Sequence, residues 1–209
     1  MRGLILKDLY LIKKYCKSYL TFALLFIALS LMNGENMVFA LYPSVVCGMV
    51  TVSLMSLDEK SRWLSYSASL PYTKGQIVSG KYLLGLVIQL SVLVLTGIAQ
   101  TVRMNRSGTL EAESLFVLMA LVAATALLTS AVNLPLVFRF GCERARILFY
   151  VLIGVICALG VVIPMLLNGE IKLNIEPVTA ATAAISIAVI GYALSWVLSV
   201  KLYKNREIV

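Results

Sequence analysis

Six long apolar segments alternate with shorter polar segments along the chain. A helix needs about 20 mostly apolar residues to cross the hydrocarbon core of a membrane. The six segments suit this length, and none of them contains Asp or Glu. The pattern therefore predicts an all-α integral membrane protein that forms a single domain over residues 1–209. We predict the six transmembrane helices at residues 16–32, 38–57, 82–102, 114–138, 147–167 and 178–200.

The segment before the first predicted span, residues 1–17, mixes apolar and basic positions. Leu4, Leu9 and Ile12 alternate with Lys7 and Lys13 at spacings that suit a helix lying in the membrane interface, with its lysines reaching the headgroups. We therefore predict an N-terminal amphipathic interfacial helix. This helix either only anchors the chain to the membrane or also contacts a cytoplasmic partner.

The polar connection between the second and third predicted spans is long enough to hold a helix of its own. Asp58 is suited to cap the start of this helix, and Glu59 is favourable in its first turn. Trp63, Tyr66 and Leu70 follow at spacings of three and four residues, which places them on one helix face. Such an aromatic face packs either on the membrane surface or on another protein. The spacing leaves both partners open.

The second half of the same connection carries signals for the end of one helix and the start of the next. Pro71 disfavours helical backbone in the residue before it, so we predict that the first helix ends there. Thr73 and Gln76 have the spacing of a capping box. We predict that a second helix begins after Thr73 and continues into the third span.

The basic residues are distributed unevenly between the two sides of the predicted topology. Of the 18 Lys and Arg residues, all but Arg103, Arg106 and Lys172 lie in the N-terminal segment, the second and fourth connections and the C-terminal tail. Because basic residues concentrate on the cytoplasmic side of a membrane, both termini are predicted to be cytoplasmic. The net charge of +8 reflects this topology and does not indicate nucleic-acid binding, since the basic residues form no single patch.

The composition excludes several classes of function. Hydrophobic residues make up 60% of the chain and charged residues 13%, which is too apolar for an ordinary soluble domain. The sequence contains no histidine, which removes zinc-protease helices and Ser–His dyads. It also contains no G-x-x-x-x-G-K-[ST] loop for a nucleotide. We therefore predict that the chain is not an enzyme and has no catalytic, metal-binding or cofactor-binding residues, and that its four cysteines are free thiols.

Transport coupled to protons usually requires a carboxylate or a histidine inside the membrane. The predicted spans contain neither, so the energy for any transport must come from another protein.

The fourth connection, at residues 139–146, is short and basic. Arg139, Glu143 and Arg144 either form a contact with a cytoplasmic partner or only mark the cytoplasmic side of the membrane.

Small residues recur at helical spacing in two of the predicted spans. Small side chains allow helices to approach closely in lipid. Each stripe is therefore either a seam between two copies of the chain or a packing surface within one copy. The stripes are Ala181, Ala184, Ala188, Gly191 and Ser195 in the last span, and Ala123, Ala126, Ser130 and Asn133 in the fourth.

The connection before the last span begins with a break in the fifth span. Pro164 interrupts that span before it would leave the membrane, and Asn168 and Gly169 follow. Broken backbone at membrane depth must be covered by protein or face water. The segment is either a re-entrant outer gate or an ordinary proline kink followed by a loop.

Two parts of the sequence resemble a small family of bacterial ABC-type export permeases. The first is GLILKDLYL at residues 3–11. The second comprises EKSRW at residues 59–63, SLPYTKGQIV at residues 69–78 and KYL at residues 81–83. Together with six predicted spans, this likeness extends over the whole chain.

The resemblance implies a type-2 ABC export permease in a bacterial plasma membrane, driven by two copies of a separate ATPase that binds ATP and Mg²⁺. It also implies a second permease chain, identical or related. Some members of the family export phenol-soluble-modulin-type toxins or antimicrobial peptides, and no substrate-contacting motif carries over to this chain. A structural or assembly protein without transport is the alternative. In such permeases the first cytoplasmic loop holds a coupling helix, which by position comprises Asp58, Glu59, Arg62, Trp63, Tyr66 and Leu70.

Overall fold

A computed structural model describes residues 2–32, 37–61, 63, 66, 73–108, 111–166 and 176–204. These residues form a bundle of α-helices. The helices are α1 (Arg2–Tyr15), α2 (Lys17–Met32), α3 (Val38–Lys60), α4 (Lys74–Ser107), α5 (Ala112–Phe140), α6 (Cys142–Leu166) and α7 (Pro177–Lys204).

Four of these helices, α3, α4, α5 and α7, are long and apolar enough to cross a membrane. The pair α1 and α2 adds a fifth candidate span if it is treated as one element, although it bends by 71° between Tyr15 and Lys17. The all-α membrane fold is therefore confirmed with four or five candidate spans. Helix α6 covers the fifth predicted span, but the side chains of Cys157 and residues 159–166 lie outside the described part. Six spans remain a prediction.

The start of α4 is the one that the sequence predicts. The Thr73 hydroxyl accepts a hydrogen bond from the backbone N–H of Gln76, and the Gln76 side chain accepts one from the N–H of Thr73. This capping box satisfies two N–H groups that the first turn of a helix leaves unpaired. The prediction that the helix continues into the third span is also confirmed, because α4 runs without a break to Ser107.

The predicted helix start at Asp58 is wrong. Helix α3 continues past the end of the second predicted span, and Asp58 and Glu59 lie in its last turn before Lys60. The carboxylate of Asp58 is instead buried in ion pairs with two lysines. The capping rule failed because a distant partner satisfies this carboxylate. Arg62, Leu70 and Pro71 lie outside the described residues.

The most extensive helix contact in the bundle is between α5 and α7. Ala181, Ala188 and Ser195 of the stripe on α7 are buried within the chain, and the Ser195 hydroxyl donates to the carbonyl oxygen of Ala131 at 2.7 Å. Ala184 and Gly191 are half-buried. Ala126, Ser130 and Asn133 of the stripe on α5 are also buried. The buried positions of both stripes therefore pack inside one subunit.

Helices α3 and α5 approach each other closely at Gly48. A Cβ atom on Gly48 would lie 2.6 Å from Cγ2 of Thr129, a distance that real Cβ atoms essentially never show. Gln89 of α4 reaches the same region, where its Nε2 donates to the carbonyl oxygen of Ser44 at 3.2 Å. The missing side chain thus allows three helices to meet.

Gly48→Ala is expected to lower the free energy of unfolding by about 1–3 kcal/mol, because the added methyl group forces the helices apart. Gly154→Ala on α6 is the matched control, since a Cβ there meets no atom within 4 Å. Thermal unfolding of the purified protein in detergent measures both variants. Equal midpoints would contradict the close approach at Gly48.

Candidate functional site

Helix α1 turns an unusual face towards the bundle. Leu4, Asp8 and Ile12 recur every four residues along α1 and are all buried, as is Cys16 just after the helix, although Asp8 carries a charge. An ionised carboxylate is costly to bury unless it is paired and hydrogen-bonded. The position of Asp8, 2% exposed, therefore requires a cationic partner on a neighbouring helix.

The partner is Lys81, two turns into α4, which also binds Asp58 at the end of α3. The Lys81 ammonium Nζ lies 2.8 Å from Oδ2 of Asp8 and 2.7 Å from Oδ2 of Asp58. Lys7 completes the arrangement, with its Nζ 2.7 Å from Oδ1 of Asp58 and 3.2 Å from Oδ1 of Asp8. We call Lys7, Asp8, Asp58 and Lys81 the charge cluster. It joins α1, α3 and α4 at the base of the connection between α3 and α4.

Each charge of the cluster faces two opposite charges, and the four residues have no net charge together. Asp8, Asp58 and Lys81 are each at most 5% exposed. In such a poorly solvated site, attraction between the pairs must offset the cost of removing the ions from water. Loss of one member leaves an uncompensated buried charge, so the cluster holds together only as a unit.

Glu59, the residue after Asp58, links the same end of α3 to the start of α6. Its Oε2 accepts a hydrogen bond of 3.1 Å from the backbone N–H of Cys142. A carboxylate at a helix N-terminus is favoured by the helix dipole. Burial raises the pKa of the Cys142 thiol, and the Glu59 carboxylate adds to the rise. This thiol is therefore protonated and poorly reactive.

The turn between α5 and α6 consists of one residue, Gly141, with a φ of +83°. A Cβ there would meet Oε1 of Glu59 at 3.4 Å. The fourth connection is therefore much shorter than residues 139–146. Arg139, Glu143 and Arg144 are all exposed around this turn, and Glu59 connects the turn to the end of α3.

Trp63 sits directly above the charge cluster. The Lys7 ammonium lies 4.0 Å from the centre of its indole ring, which is within the range of a cation–π contact. The ring of Tyr66 lies 5.4 Å from that of Trp63. Trp63 is half-buried and lines a cavity of about 20 Å³ with Met55, Ile77 and Phe138 among its walls. Tyr66 is 58% exposed.

Tyr82, the residue after Lys81, connects α4 to α7. The Tyr82 hydroxyl lies 2.7 Å from the hydroxyls of both Ser195 and Ser199. Its ring stacks on Trp196 with centroids 5.7 Å apart, and the Trp196 indole N–H donates to Ser79. Because adjacent residues of a helix point in different directions, Lys81 ties α4 to α1 and α3, whereas Tyr82 ties it to α7.

The structure brings together residues that the sequence assigns to separate roles. Asp58, Glu59, Trp63 and Tyr66 of the predicted coupling helix lie next to Lys7, Asp8 and Lys81, which sequence reasoning missed as a site. One residue in the sequence could have indicated this site: Asp8 is a carboxylate in the middle of the apolar repeat from Leu4 to Ile12. Asn168 and Gly169 of the predicted outer gate lie outside the described residues. Pro164 is described only as backbone of α6.

Among the described residues, no group of three or more His, Cys, Asp or Glu side chains is placed to hold a metal ion.

A family model described as "ABC-2 family transporter protein" matches residues 3–204 of the chain. No curated protein and no solved structure matches it. The matched range contains the whole charge cluster, Trp63 and Tyr66.

Proposed function

Since the chain belongs to the ABC-2 family of transporter proteins, it is a multi-pass membrane permease, and we propose that it exports its cargo with energy from an ATPase docked on the connection between α3 and α4. Members of this family are transport subunits and are not themselves enzymes. ATP and Mg²⁺ then belong to the ATPase subunit, because this chain has no nucleotide-binding loop.

One observation carries the docking site: Trp63 contacts Lys7 of the charge cluster, which joins α1, α3 and α4, and Tyr66 contacts the Trp63 ring. A partner that presses on these rings acts on three helices through direct ion pairs. The aromatic pair also has the chemistry of an interface anchor. The connection therefore supplies both a contact surface and a mechanical link into the membrane domain.

The docking segment is narrower than the sequence predicts. Asp58 and Glu59 hold the base of the connection, because both are engaged inside the bundle. We assign the ATPase contact to Trp63 and Tyr66 on their positions in the structure. Arg62 and Leu70 are added to this contact on the sequence pattern alone. Arg139, Glu143 and Arg144 form a second contact, favoured by their exposure at the turn that Glu59 connects to α3.

The complete transporter has two permease chains, identical or related, and two ATPase subunits, because one six-span chain with a single docking connection makes half of a pore. The six spans are surrounded by lipid in a bacterial plasma membrane. Both termini are cytoplasmic, as the distribution of Lys and Arg indicates. An amphipathic peptide or another hydrophobic cargo suits spans without a carboxylate.

Co-purification tests this proposal against a structural or assembly role without transport. The tagged chain, purified from membranes of its source cell, is expected to bring with it an ABC ATPase, in a one-to-one ratio if the two permease chains are identical and with two ATPase subunits per tagged chain if they are related. After reconstitution into vesicles, the complex should hydrolyse ATP, and added amphipathic peptides should stimulate the hydrolysis. A chain that purifies without an ATPase would leave only the structural role.

A further inference from the structure

We propose that Lys7 is a positioning residue that fixes the Trp63 indole in the orientation used for docking; only the docking half of this inference rests on the proposed function. Lys7 belongs to α1, and Trp63 belongs to the connection after α3. The inference makes the N-terminal helix a part of the docking machinery in addition to its contact with the membrane.

The ammonium of Lys7 is held by charges that lie inside the bundle. Its Nζ is 2.7 Å from Oδ1 of Asp58 and 3.2 Å from Oδ1 of Asp8. Two fixed carboxylates therefore set its position, and it presents its remaining side to the face of the Trp63 ring at 4.0 Å. The Lys7 side chain is only 24% exposed, so the cation–π contact is partly desolvated and stronger than at an open surface.

Among the described residues, no hydrogen bond competes with Lys7 for the position of the indole. The Trp63 Nε1–H is buried and has no hydrogen-bond partner within the described part of the chain. The ring is located by the Lys7 ammonium, by Tyr66 and by apolar walls such as Ile77 and Phe138. Apolar walls limit the space for the ring, whereas a cation attracts its face and a second aromatic ring prefers a defined geometry. Of these two directional contacts, Lys7 is the one that comes from another helix, and we infer that the orientation of the indole depends on it.

This arrangement couples α1 to the docking surface. If α1 moves away from the bundle, Lys7 moves with it, and the indole loses its directional contact. Lys7 thus acts on docking through Trp63 and needs no contact with the partner.

The first test uses the fluorescence of Trp63 in the purified chain, where no ATPase is present. The protein has two tryptophans, so all variants are made in a Trp196→Phe background and compared within it. Lys7→Met is expected to increase acrylamide quenching of Trp63 and to shift its emission. Lys7→Arg should restore both, because a guanidinium retains the cation–π contact. Lys13→Met, an exposed lysine on the same helix, is the control and should change neither.

A second variant keeps the test decisive if Lys7→Met does not fold. Lys7→Met combined with Asp8→Asn removes one positive and one negative charge and leaves the Asp58–Lys81 pair balanced. The indole should be freed in this variant as well. Unchanged quenching in the folded variants would overturn the inference, whatever the ATPase does.

The functional half is measured as binding of the co-purified ATPase to each variant. Without Lys7 the affinity is expected to fall roughly 2- to 30-fold, which corresponds to the range of a cation–π contribution between exposed and desolvated sites. Lys7→Arg should recover it. A freed indole with unchanged affinity would overturn the role in docking. A wild-type chain that binds no ATPase would overturn the proposed function and leave the positioning of Trp63 intact.

Discussion

Lys81→Met is expected to reduce the stability of the membrane domain by about 3–5 kcal/mol, the cost typical of breaking a buried ion pair on one side. Lys81 is 4% exposed and binds both buried carboxylates of the charge cluster. Methionine has a similar length but no charge, so Asp8 and Asp58 would face each other with only Lys7 as compensation. Thermal unfolding in detergent measures the loss. Lys60→Met, at an exposed lysine in the last turn of α3, is the control and should have little effect.

A charge-balanced variant separates the loss of pairing from the loss of packing. Lys81→Met combined with Asp58→Asn removes one charge of each sign and leaves Lys7 with Asp8. Replacement of a whole buried pair by neutral groups is often close to neutral in stability. The double variant should therefore be more stable than Lys81→Met alone. If it is less stable by the sum of the single effects, the cluster does not act as a unit.

The local features of the fold are those that sequence reasoning predicts well. The capping box at Thr73 and Gln76 depends only on residues three apart, and it forms as expected. A helix also forms at Arg2–Tyr15, within the segment 1–17 for which the pattern predicts one, whereas the bend of 71° that follows it is not predicted. These features are encoded within one or two helical turns, where no distant residue competes.

The charge cluster could not be predicted from the same patterns, because its members are far apart in the sequence. Lys7 and Lys81 are typical basic residues at the cytoplasmic end of a span, and Asp58 is typical of a helix cap. Each local role is chemically reasonable. Pairing between distant residues decides their positions instead. Two carboxylates that are buried in an apolar site require cations, and the chain supplies these from other helices.

The small-residue stripes illustrate a different limit. Ala188 on α7 has the spacing of a helix contact, and it is indeed buried. The spacing of small residues indicates that another helix packs closely on this face of α7, but it does not indicate whether that helix belongs to the same chain. In this chain α7 packs most extensively on α5 of the same subunit, so the buried positions of the stripe serve packing within one chain.

The segments that resemble export permeases converge on the site. Lys7 and Asp8 come from the first stretch, Glu59 and Trp63 from the second, and Lys81 from the last. Their side chains form one network of ion pairs, a helix-capping bond and a cation–π contact. The three stretches therefore have a physical reason to occur together in this chain, because each supplies residues at the base of the connection between α3 and α4.

Tyr66→Ala is expected to weaken the complex with the ATPase about thirtyfold, which corresponds to about 2 kcal/mol for the loss of an aromatic interface anchor. Trp63 and Tyr66 share one face of the connection, but they differ in orientation. The face of the Trp63 ring contacts the Lys7 ammonium inside the chain, whereas Tyr66 is 58% exposed. We therefore expect Tyr66 to carry the direct contact, and its loss should reduce ATPase binding more than it lowers the unfolding midpoint of the purified chain.

Tyr10→Ala is the matched control, because Tyr10 is an exposed tyrosine, 68% accessible, on the outer face of α1. Binding of the ATPase to both variants and to Trp63→Ala, at equal expression, distinguishes two partners for the aromatic face. A protein cleft responds to Tyr66 and Trp63 and ignores Tyr10. A membrane surface responds to all three in vesicle binding and leaves recovery of the ATPase undiminished. The second pattern would reject the docking assignment, since an aromatic face that rests on headgroups has no means to receive the motion of an ATPase.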